Sequence, residues 1–221
     1  INMQIGKGQK IALLGESGAG KSTMFSLLCG LYEINEGRLR INGWDTATIS
    51  VHQLRSQITY ISQTPFLFTG TIRENLLFGR TDVTEEEMME AARIAEVDSF
   101  IQTLPEGYDT LVEEKGRNFS GGQQLRLSIA RALIHPANII LMDEPTSALD
   151  MNNERNIIDN IYRHFQTHTM IISSHRLSTI QHVDRIIYLS DQTIAEQGTH
   201  EELMRLQGKY YQFVMNNNLI G

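Results

Sequence analysis

The sequence is poor in cysteine, in basic residues and in long apolar runs. A single cysteine, Cys29, among 221 residues excludes a disulfide framework within the chain. The 19 Lys and Arg residues are outnumbered by 26 Asp and Glu, which gives a formal net charge of −7. Because nucleic-acid surfaces need clustered positive charge, this balance argues against such a function, and we expect no nucleic-acid partner.

Membrane-spanning and secretory segments are also missing from the sequence. No apolar run approaches the roughly 18 residues that a bilayer-spanning helix needs. The start, INMQIGKGQK, lacks the apolar centre of a signal peptide. We therefore expect this stretch of chain to be soluble on its own. Ile1, Met3 and Ile5 alternate with polar residues and predict the end of a strand, so we also expect that residues upstream are missing.

What is present is the composition of a globular domain, with 41% hydrophobic and 20% charged residues. Short apolar runs alternate with helical patterns, which predicts an α/β fold with a mainly parallel sheet. Residues 84–133 show no strand pattern and predict a helical insertion. The predicted buried strands are residues 11–14, 58–61, the apolar run within 137–145, 169–173 and 185–189.

The stretch GESGAGKST lies between the first predicted strand and a predicted helix, and it matches the phosphate-loop pattern GxxxxGK[ST]. In such a loop, glycine backbone N–H groups and the helix N-terminus surround an anion. Lys21 should reach the β- and γ-phosphates, and the Ser22 hydroxyl should ligate Mg²⁺. The residues expected to contact the nucleotide here are Gly15, Ser17, Gly18, Ala19, Gly20, Lys21, Ser22 and Thr23.

Two adjacent acids follow another apolar run, IILMDE. Asp143 falls at the carboxyl end of the predicted strand, which is where α/β proteins bind ligands, and it can hold Mg²⁺ through water. Glu144 follows directly and can act as the general base on an attacking water. The sequence thus predicts metal-assisted phosphoryl chemistry at this edge.

A second anion site is predicted at FSGGQ, residues 119–123, where a hydroxyl and two glycines begin a helix. One domain already has its phosphate loop, so a second site indicates a nucleotide held by another subunit. The phosphate loop alone leaves kinases, GTPases, helicases and transporters open. The second site argues against a small-molecule kinase, and the lack of an Asn-Lys-x-Asp motif argues against a GTPase.

Six motifs in this order resemble the ATP-binding-cassette (ABC) ATPase family, specifically the nucleotide-binding domain of an exporter. The resemblance covers nearly the whole chain, and TGTIRENLLFG, LPEGYDTLV and EQGTHEELM add its exporter character. The motifs are the phosphate loop GESGAGKS, the glutamine loop YISQ with Gln63, the signature FSGGQ, the Walker B strand IILMDE, SALD with Asp150, and SSHRLSTI with His175.

The resemblance implies a role for each matching residue. Gln63 would sense Mg²⁺ and the γ-phosphate, Glu144 would polarise the hydrolytic water, and His175 would contact the γ-phosphate and hold Glu144. Asp150 would cross a dimer interface. The implied metal ligands are Ser22, Gln63 and Asp143, and the signature residues that would close on the partner's ATP are Ser120, Gly122 and Gln123.

The resemblance also implies an architecture. A P-loop NTPase (RecA-like) core would comprise residues 1–83 and 134–221, with a small antiparallel β part that is truncated at its N-terminal side. Residues 84–133 would form the inserted helical subdomain. Two such domains, in a homodimer or heterodimer, would sandwich two ATP molecules head to tail. A transmembrane domain upstream in the same polypeptide would place them at the cytoplasmic face of a membrane, where Mg-ATP hydrolysis would drive export.

One family feature is absent. An aromatic residue well upstream of the phosphate loop stacks on adenine in this family, but only 14 residues precede Gly15. Trp44 and Tyr60 are not at the matching position, so we expect weakened adenine binding. An importer ATPase, a soluble ABC ATPase that acts on nucleic acid, and a hydrolysis-dead module are the rival interpretations. The last would require the loss of Glu144 or His175, and both are present.

Overall fold

The computed structural model describes residues 1–134, 136–145, 151–174, 176–180 and 183–218. Asp150 and His175 lie outside these residues, so their predicted roles stay predictions. The chain divides into two compact units. The sheet unit comprises residues 1–60, 137–144 and 167–221, and the helical unit comprises residues 61–136 and 145–166. The predicted domain boundaries at 83/84 and 133/134 stay a prediction.

A six-stranded sheet with the order β10-β9-β1-β8-β7-β4 dominates the described strands. Strand β1 pairs in parallel with β8 and β9, and β7 pairs in parallel with β8, which confirms the predicted mainly parallel sheet. The strands are β1 Lys10–Gly15, β2 Arg40–Ile41, β3 Trp44–Asp45, β4 Ile58–Ile61, β5 Gly70–Thr71, β6 Leu111–Val112, β7 Ile139–Asp143, β8 Thr169–Ser173, β9 Arg185–Ser190 and β10 Thr193–Gly198.

Continuous apolar runs explain why β1, β7, β8 and β9 occupy the middle of this sheet. Their residues are buried almost throughout, as expected for parallel strands with both faces covered. The register aligns Gly15 of β1 with Leu189 of β9, and Asp143 of β7 with Ser173 of β8. The carboxyl ends of the central strands therefore meet at one edge, where the predicted phosphate loop and acidic residues begin.

The described helices are α1 Lys21–Leu28, α2 Val51–Arg55, α3 Ile72–Leu77, α4 Glu85–Ile94, α5 Asp98–Thr103, α6 Gly121–Leu133, α7 Met151–His164, α8 Leu177–Ile180, α9 His200–Leu206 and α10 Lys209–Asn218. Helix α4 begins after Thr84, whose side chain accepts a hydrogen bond from the Glu87 N–H while Glu87 bonds back to the Thr84 N–H. This capping box stabilises the helix start that the sequence predicts at Thr84. None of the described helices combines the length and hydrophobicity that crossing a bilayer requires.

Within the helical unit, α6 packs against α3 and α4, and α4 also packs against α7. The Arg126 guanidinium of α6 donates to the Glu96 carbonyl oxygen at 2.9 Å, and the Asn160 amide of α7 donates to the Glu96 carboxylate at 2.7 Å. Leu125, Leu127 and Ile129 on α6 are fully buried. These contacts hold α6 in place and leave its first turn at the surface.

Two predictions about strands are wrong. Residues 1–9 contain no strand, although Met3 and Ile5 pack against the core of the sheet unit. The alternation there reflects partial burial without a pairing partner, and β1 begins only at Lys10. The block 84–133 does contain a strand, β6, which pairs with β5 over two residues. Such a short ladder leaves no periodic signal in the sequence.

Candidate functional site

The glycine-rich loop connects β1 to α1 in the sheet unit. Gly15 has φ 149°, and a Cβ there would overlap the Leu189 carbonyl oxygen and lie 3.1 Å from the Ala19 Cβ. Gly18 and Gly20 also have positive φ, 81° and 99°. Only glycine adopts such angles without strain, so the loop turns tightly and its backbone N–H groups line the turn.

The N-terminus of α1 has no capping side chain, because its N-cap residue is Gly20. The first N–H groups of a helix have no partner within the helix, and the helix dipole adds positive potential there. Ser22 and Thr23, in the first turn, are exposed. The start of α1 therefore has the properties of an anion site.

Lys21 lies over this loop. Its ammonium group donates to the carbonyl oxygens of Gly15 at 2.6 Å and Glu16 at 3.1 Å. Burial lowers the pKa of Lys21, whereas the negative charges of Glu144 and Asp143 act to raise it. The pKa of Lys21 therefore depends on the charges of Asp143, the last residue of β7, and of Glu144, which follows it.

Asp143 is buried at the end of β7, with 9% of its surface exposed. Its Oδ1 accepts a hydrogen bond from the Ser173 hydroxyl at 2.6 Å. Its Oδ2 accepts a longer one from the Tyr60 hydroxyl at 3.4 Å. Burial raises the pKa of Tyr60 to about 12, and the neighbouring Asp143 carboxylate raises it as well. Tyr60 therefore stays protonated and acts as a donor at neutral pH.

Glu144 has a left-handed backbone, with φ 45°. This region is unfavourable for a residue with a side chain, and such strain is concentrated at functional sites. The Glu144 N–H is held by two oxygen atoms of Ser173, the carbonyl oxygen at 3.0 Å and the hydroxyl at 3.2 Å. These bonds fix the position from which the Glu144 side chain leaves the backbone.

The signature residues lie in the helical unit at the start of α6. The Ser120 hydroxyl accepts from the Gln123 N–H at 3.3 Å, and the Gln123 side chain accepts from the Ser120 N–H at 2.8 Å. A Cβ placed on Gly121 would meet no atom within 4 Å, so the chain's own packing does not require glycine there. The first turn of α6 is capped, yet it is open on its outer side.

The structure brings together Lys21, Asp143 and Glu144 in the sheet unit, and Ser120, Gly122 and Gln123 at the start of α6 in the helical unit. Gln63 is exposed in the helical unit, just after β4. The sequence pattern does not predict the contacts of Ser173 and Tyr60 with Asp143. The available signal for Ser173 is a hydroxyl directly after three apolar strand residues, Met170, Ile171 and Ile172.

The described residues contain no group of three or more His, Cys, Asp and Glu side chains that could hold a metal ion. Magnesium does not need such a group, because it binds one or two protein oxygen atoms together with phosphates and water. The exposed Ser22 hydroxyl and the Asp143 carboxylate offer hard oxygen donors of this kind. The residues present therefore fit Mg²⁺ held jointly with a triphosphate.

A parallel sheet with a glycine-rich loop, a lysine and two acids at the carboxyl ends of its strands defines a P-loop nucleotide-binding domain. The family model described as "ABC transporter" matches residues 1–147. The chain belongs to the ABC transporter family.

Known relatives agree with this assignment. The chain is 44% identical to Multidrug resistance protein 1 of Entamoeba histolytica over 99% of its length, which is 17% of that protein. It is 41% identical to the Putative multidrug export ATP-binding/permease protein YgaD of Bacillus subtilis, again over 99% of the chain but 38% of the relative.

A solved structure of a bacterial Atm1-family ABC exporter with ATP bound matches 96% of the chain and 37% of its own, with 39% identity and a TM-score of 0.92. This match confirms the predicted α/β core with its helical and small antiparallel parts, and it confirms the resemblance to exporter nucleotide-binding domains. The chain spans less than two-fifths of the length of each of these relatives.

Proposed function

We propose that the chain hydrolyses Mg-ATP as the nucleotide-binding domain of an ABC exporter, and that hydrolysis drives a cycle of head-to-tail dimerisation. The observation that carries this proposal is the edge of the sheet unit, where the glycine-rich loop held by Lys21 follows β1 and the buried Asp143 ends β7, with Glu144 directly after it. Membership of the ABC transporter family and the exporter relatives support it.

Phosphoryl transfer requires positioning and charge neutralisation rather than covalent chemistry by the protein. Lys21 would leave the carbonyl oxygens of Gly15 and Glu16 and bind the β- and γ-phosphates, while the N–H groups of the loop surround them. Mg²⁺, when bound, would supply further positive charge. Ser22, Gln63 and Asp143 are the proposed residues that hold it, with Asp143 acting through water.

Glu144 is the proposed general base. Its backbone is fixed in a strained conformation beside the buried Asp143, so its carboxylate starts from a defined place when it takes a proton from the attacking water. His175, which lies outside the described residues, would hold the γ-phosphate and Glu144 together.

A second copy, or a homologous domain, would complete each site. Ser120 and Gly122 would meet the phosphates of the partner's ATP, and Gln123 would keep Ser120 in place through the capping box. The open side of Gly121 supports this assignment, because a glycine with free space around it lets another molecule come close. Asp150 would contact the same interface from outside the described residues.

The proposed transport function depends on a transmembrane domain in the same polypeptide or complex, with this chain at the cytoplasmic face. The relatives named as export proteins are much longer than the chain and support this context. We further propose residues 1–83 and 134–221 as the ATP-binding core and residues 84–133 as the subdomain that carries the signature.

The variant Glu144→Gln tests the function. Loss of the base should lower ATP turnover by about 10²-fold or more, whereas ATP still binds and traps a dimer. The measurements are phosphate release, binding of a fluorescent ATP analogue and size-exclusion chromatography with Mg-ATP.

Glu33→Gln, at an exposed site in the same unit, is the matched control and should behave as the wild type. Hydrolysis by Glu144→Gln at the wild-type rate would refute the assignment of the base. Failure of the wild-type chain to bind ATP would refute the proposed function as a whole.

A further inference from the structure

Ser173 lies where the central strands of the sheet unit end. It is the last residue of β8 and is fully buried, and the register places it beside Asp143 of β7 on one side and Leu13 of β1 on the other. The preceding residues Met170, Ile171 and Ile172 are apolar and buried. A hydroxyl at this position must find polar partners, because burying one without hydrogen bonds is costly.

The hydroxyl of Ser173 finds partners on both adjacent acids. It donates its proton to Oδ1 of Asp143 at 2.6 Å, and its oxygen accepts the N–H of Glu144 at 3.2 Å. One small side chain thus joins a carboxylate to the backbone of the neighbouring carboxylate residue. Hydrogen bonds to an ionised partner are short and strong, which fits the 2.6 Å distance.

The two oxygens of the Asp143 carboxylate have different hydrogen-bond partners. Oδ1 is occupied by the Ser173 hydroxyl, whereas Oδ2 receives the Tyr60 hydroxyl over the longer distance of 3.4 Å. A contact of that length is weak, and a water bound to a metal ion can displace it. Ser173 therefore selects which oxygen of the carboxylate stays available.

We propose that Ser173 is a positioning residue, which orients the Asp143 carboxylate toward the metal and keeps the Glu144 backbone in its strained conformation. This inference rests on the proposed function, since it assigns the support of the same site. Groups that orient metal-bound carboxylates through a hydrogen bond typically change metal affinity or activity by 10–100-fold when they are removed.

Ser173→Ala removes the hydroxyl and keeps the backbone bond from the Glu144 N–H to the Ser173 carbonyl oxygen. Mn²⁺ is a suitable probe in place of Mg²⁺, because its free form gives an electron paramagnetic resonance signal. We expect about tenfold or more weaker Mn²⁺ binding in the presence of a non-hydrolysable ATP analogue. ATP affinity measured with EDTA should stay within about twofold of wild type, and kcat for Mg-ATP should fall by about tenfold or more.

Two further variants separate positioning from packing. Ser173→Thr keeps a hydroxyl and should restore most of the Mn²⁺ affinity. Ser190→Ala removes another buried serine hydroxyl in the same unit, one that bonds to Asp191 and Lys209, and should leave Mn²⁺ affinity unchanged. If Ser173→Ala does not fold, Ser173→Cys, with a weak donor of similar shape, takes its place.

A double-mutant cycle tests whether the Ser173 hydroxyl affects Mn²⁺ affinity through Asp143. In an Asp143→Asn background, adding Ser173→Ala should cause no further loss of Mn²⁺ affinity if the hydroxyl acts through Asp143. A loss of equal size in that background would overturn the proposal. So would wild-type Mn²⁺ affinity in Ser173→Ala together with a lowered melting temperature, because the hydroxyl would then be only structural.

Failure of the proposed function gives a different result. In that case, the wild-type chain itself would bind neither the ATP analogue nor Mn²⁺ with it, and the inference about Ser173 would fall as well. Normal binding by the wild type with no difference between Ser173→Ala and Ser190→Ala would overturn the inference alone.

Discussion

Helices α1 and α6 both begin at glycine-rich sequences, but their first turns are built differently. The N-cap of α1 is Gly20 with φ 99° and no capping side chain. The N-cap of α6 is Ser120, which forms a full capping box with Gln123. One helix start keeps its N–H groups available for a ligand, whereas the other already satisfies part of them within the chain.

This difference assigns unequal tasks to the two helix starts. The start of α1 contains Lys21 and is near Asp143 and Glu144, so it has the groups proposed to bind and hydrolyse a triphosphate. The start of α6 offers the Ser120 hydroxyl proton and the N–H groups of its two glycines. We therefore expect the start of α1 to bind ATP without a partner domain. The start of α6 should contact only a nucleotide that is already bound to the partner domain.

Lys21→Ala should have the largest effect. The lysine would make about two hydrogen bonds to charged phosphates, each worth roughly 1.5 kcal/mol, so ATP affinity should fall roughly 100-fold. Titration with a fluorescent ATP analogue measures this loss. Lys7→Ala, an exposed lysine in the same unit, is the control and should bind ATP as the wild type does. Equal affinity in both variants would show that Lys21 does not contact the nucleotide.

The paired variants Gly15→Ala and Gly121→Ala should have different effects on the free energy of unfolding. A Cβ on Gly15 overlaps the Leu189 carbonyl oxygen at a positive φ, so the free energy of unfolding should fall by about 2–3 kcal/mol. A Cβ on Gly121 meets open space at the start of a helix, so stability should stay the same or rise slightly. Denaturant unfolding measures both effects.

The control for the first variant is Gly37→Ala, which has positive φ but no overlap and should cost less than Gly15→Ala. For Gly121→Ala, we expect normal ATP binding and reduced hydrolysis, because the methyl group would obstruct the partner's nucleotide. Unchanged hydrolysis would indicate that nothing approaches α6 at this point.

The sequence predicted the elements that have a strong pattern. Residues 58–61 and 169–173 form strands with the predicted bounds, and α6 begins at Gly121 as predicted. Strand β10 was not predicted, because it is an antiparallel edge strand in which exposed and partly buried residues alternate without a clear apolar face. Its last residues, Glu196, Gln197 and Gly198, resemble a loop.

The candidate site is predicted from residue types and their spacing. These indicate which residues carry the chemistry, but not which neighbouring side chains hold them in place. The sequence predicts three of the site residues because they lie in short motifs of adjacent residues: Lys21 in GESGAGKS, and Asp143 and Glu144 in IILMDE. The contact of Ser173 with Asp143 is not predicted, since the two residues are 30 positions apart and only the register of β7 and β8 brings them together. Parallel strands create such pairs through long-range contacts that periodicity does not show.

The most direct test of a shared site mixes two inactive variants. Lys21→Ala loses the phosphate lysine, and Ser120→Ala loses the signature hydroxyl, so each alone should hydrolyse little ATP. In a mixed dimer, one site carries both defects and the other has an intact Lys21 from one chain and an intact Ser120 from its partner. We predict that mixing equal amounts restores about a quarter of the wild-type ATPase rate, because about half of randomly formed pairs are mixed and each has one intact site of two. A mixture no more active than the two variants measured separately would contradict a site shared between two copies.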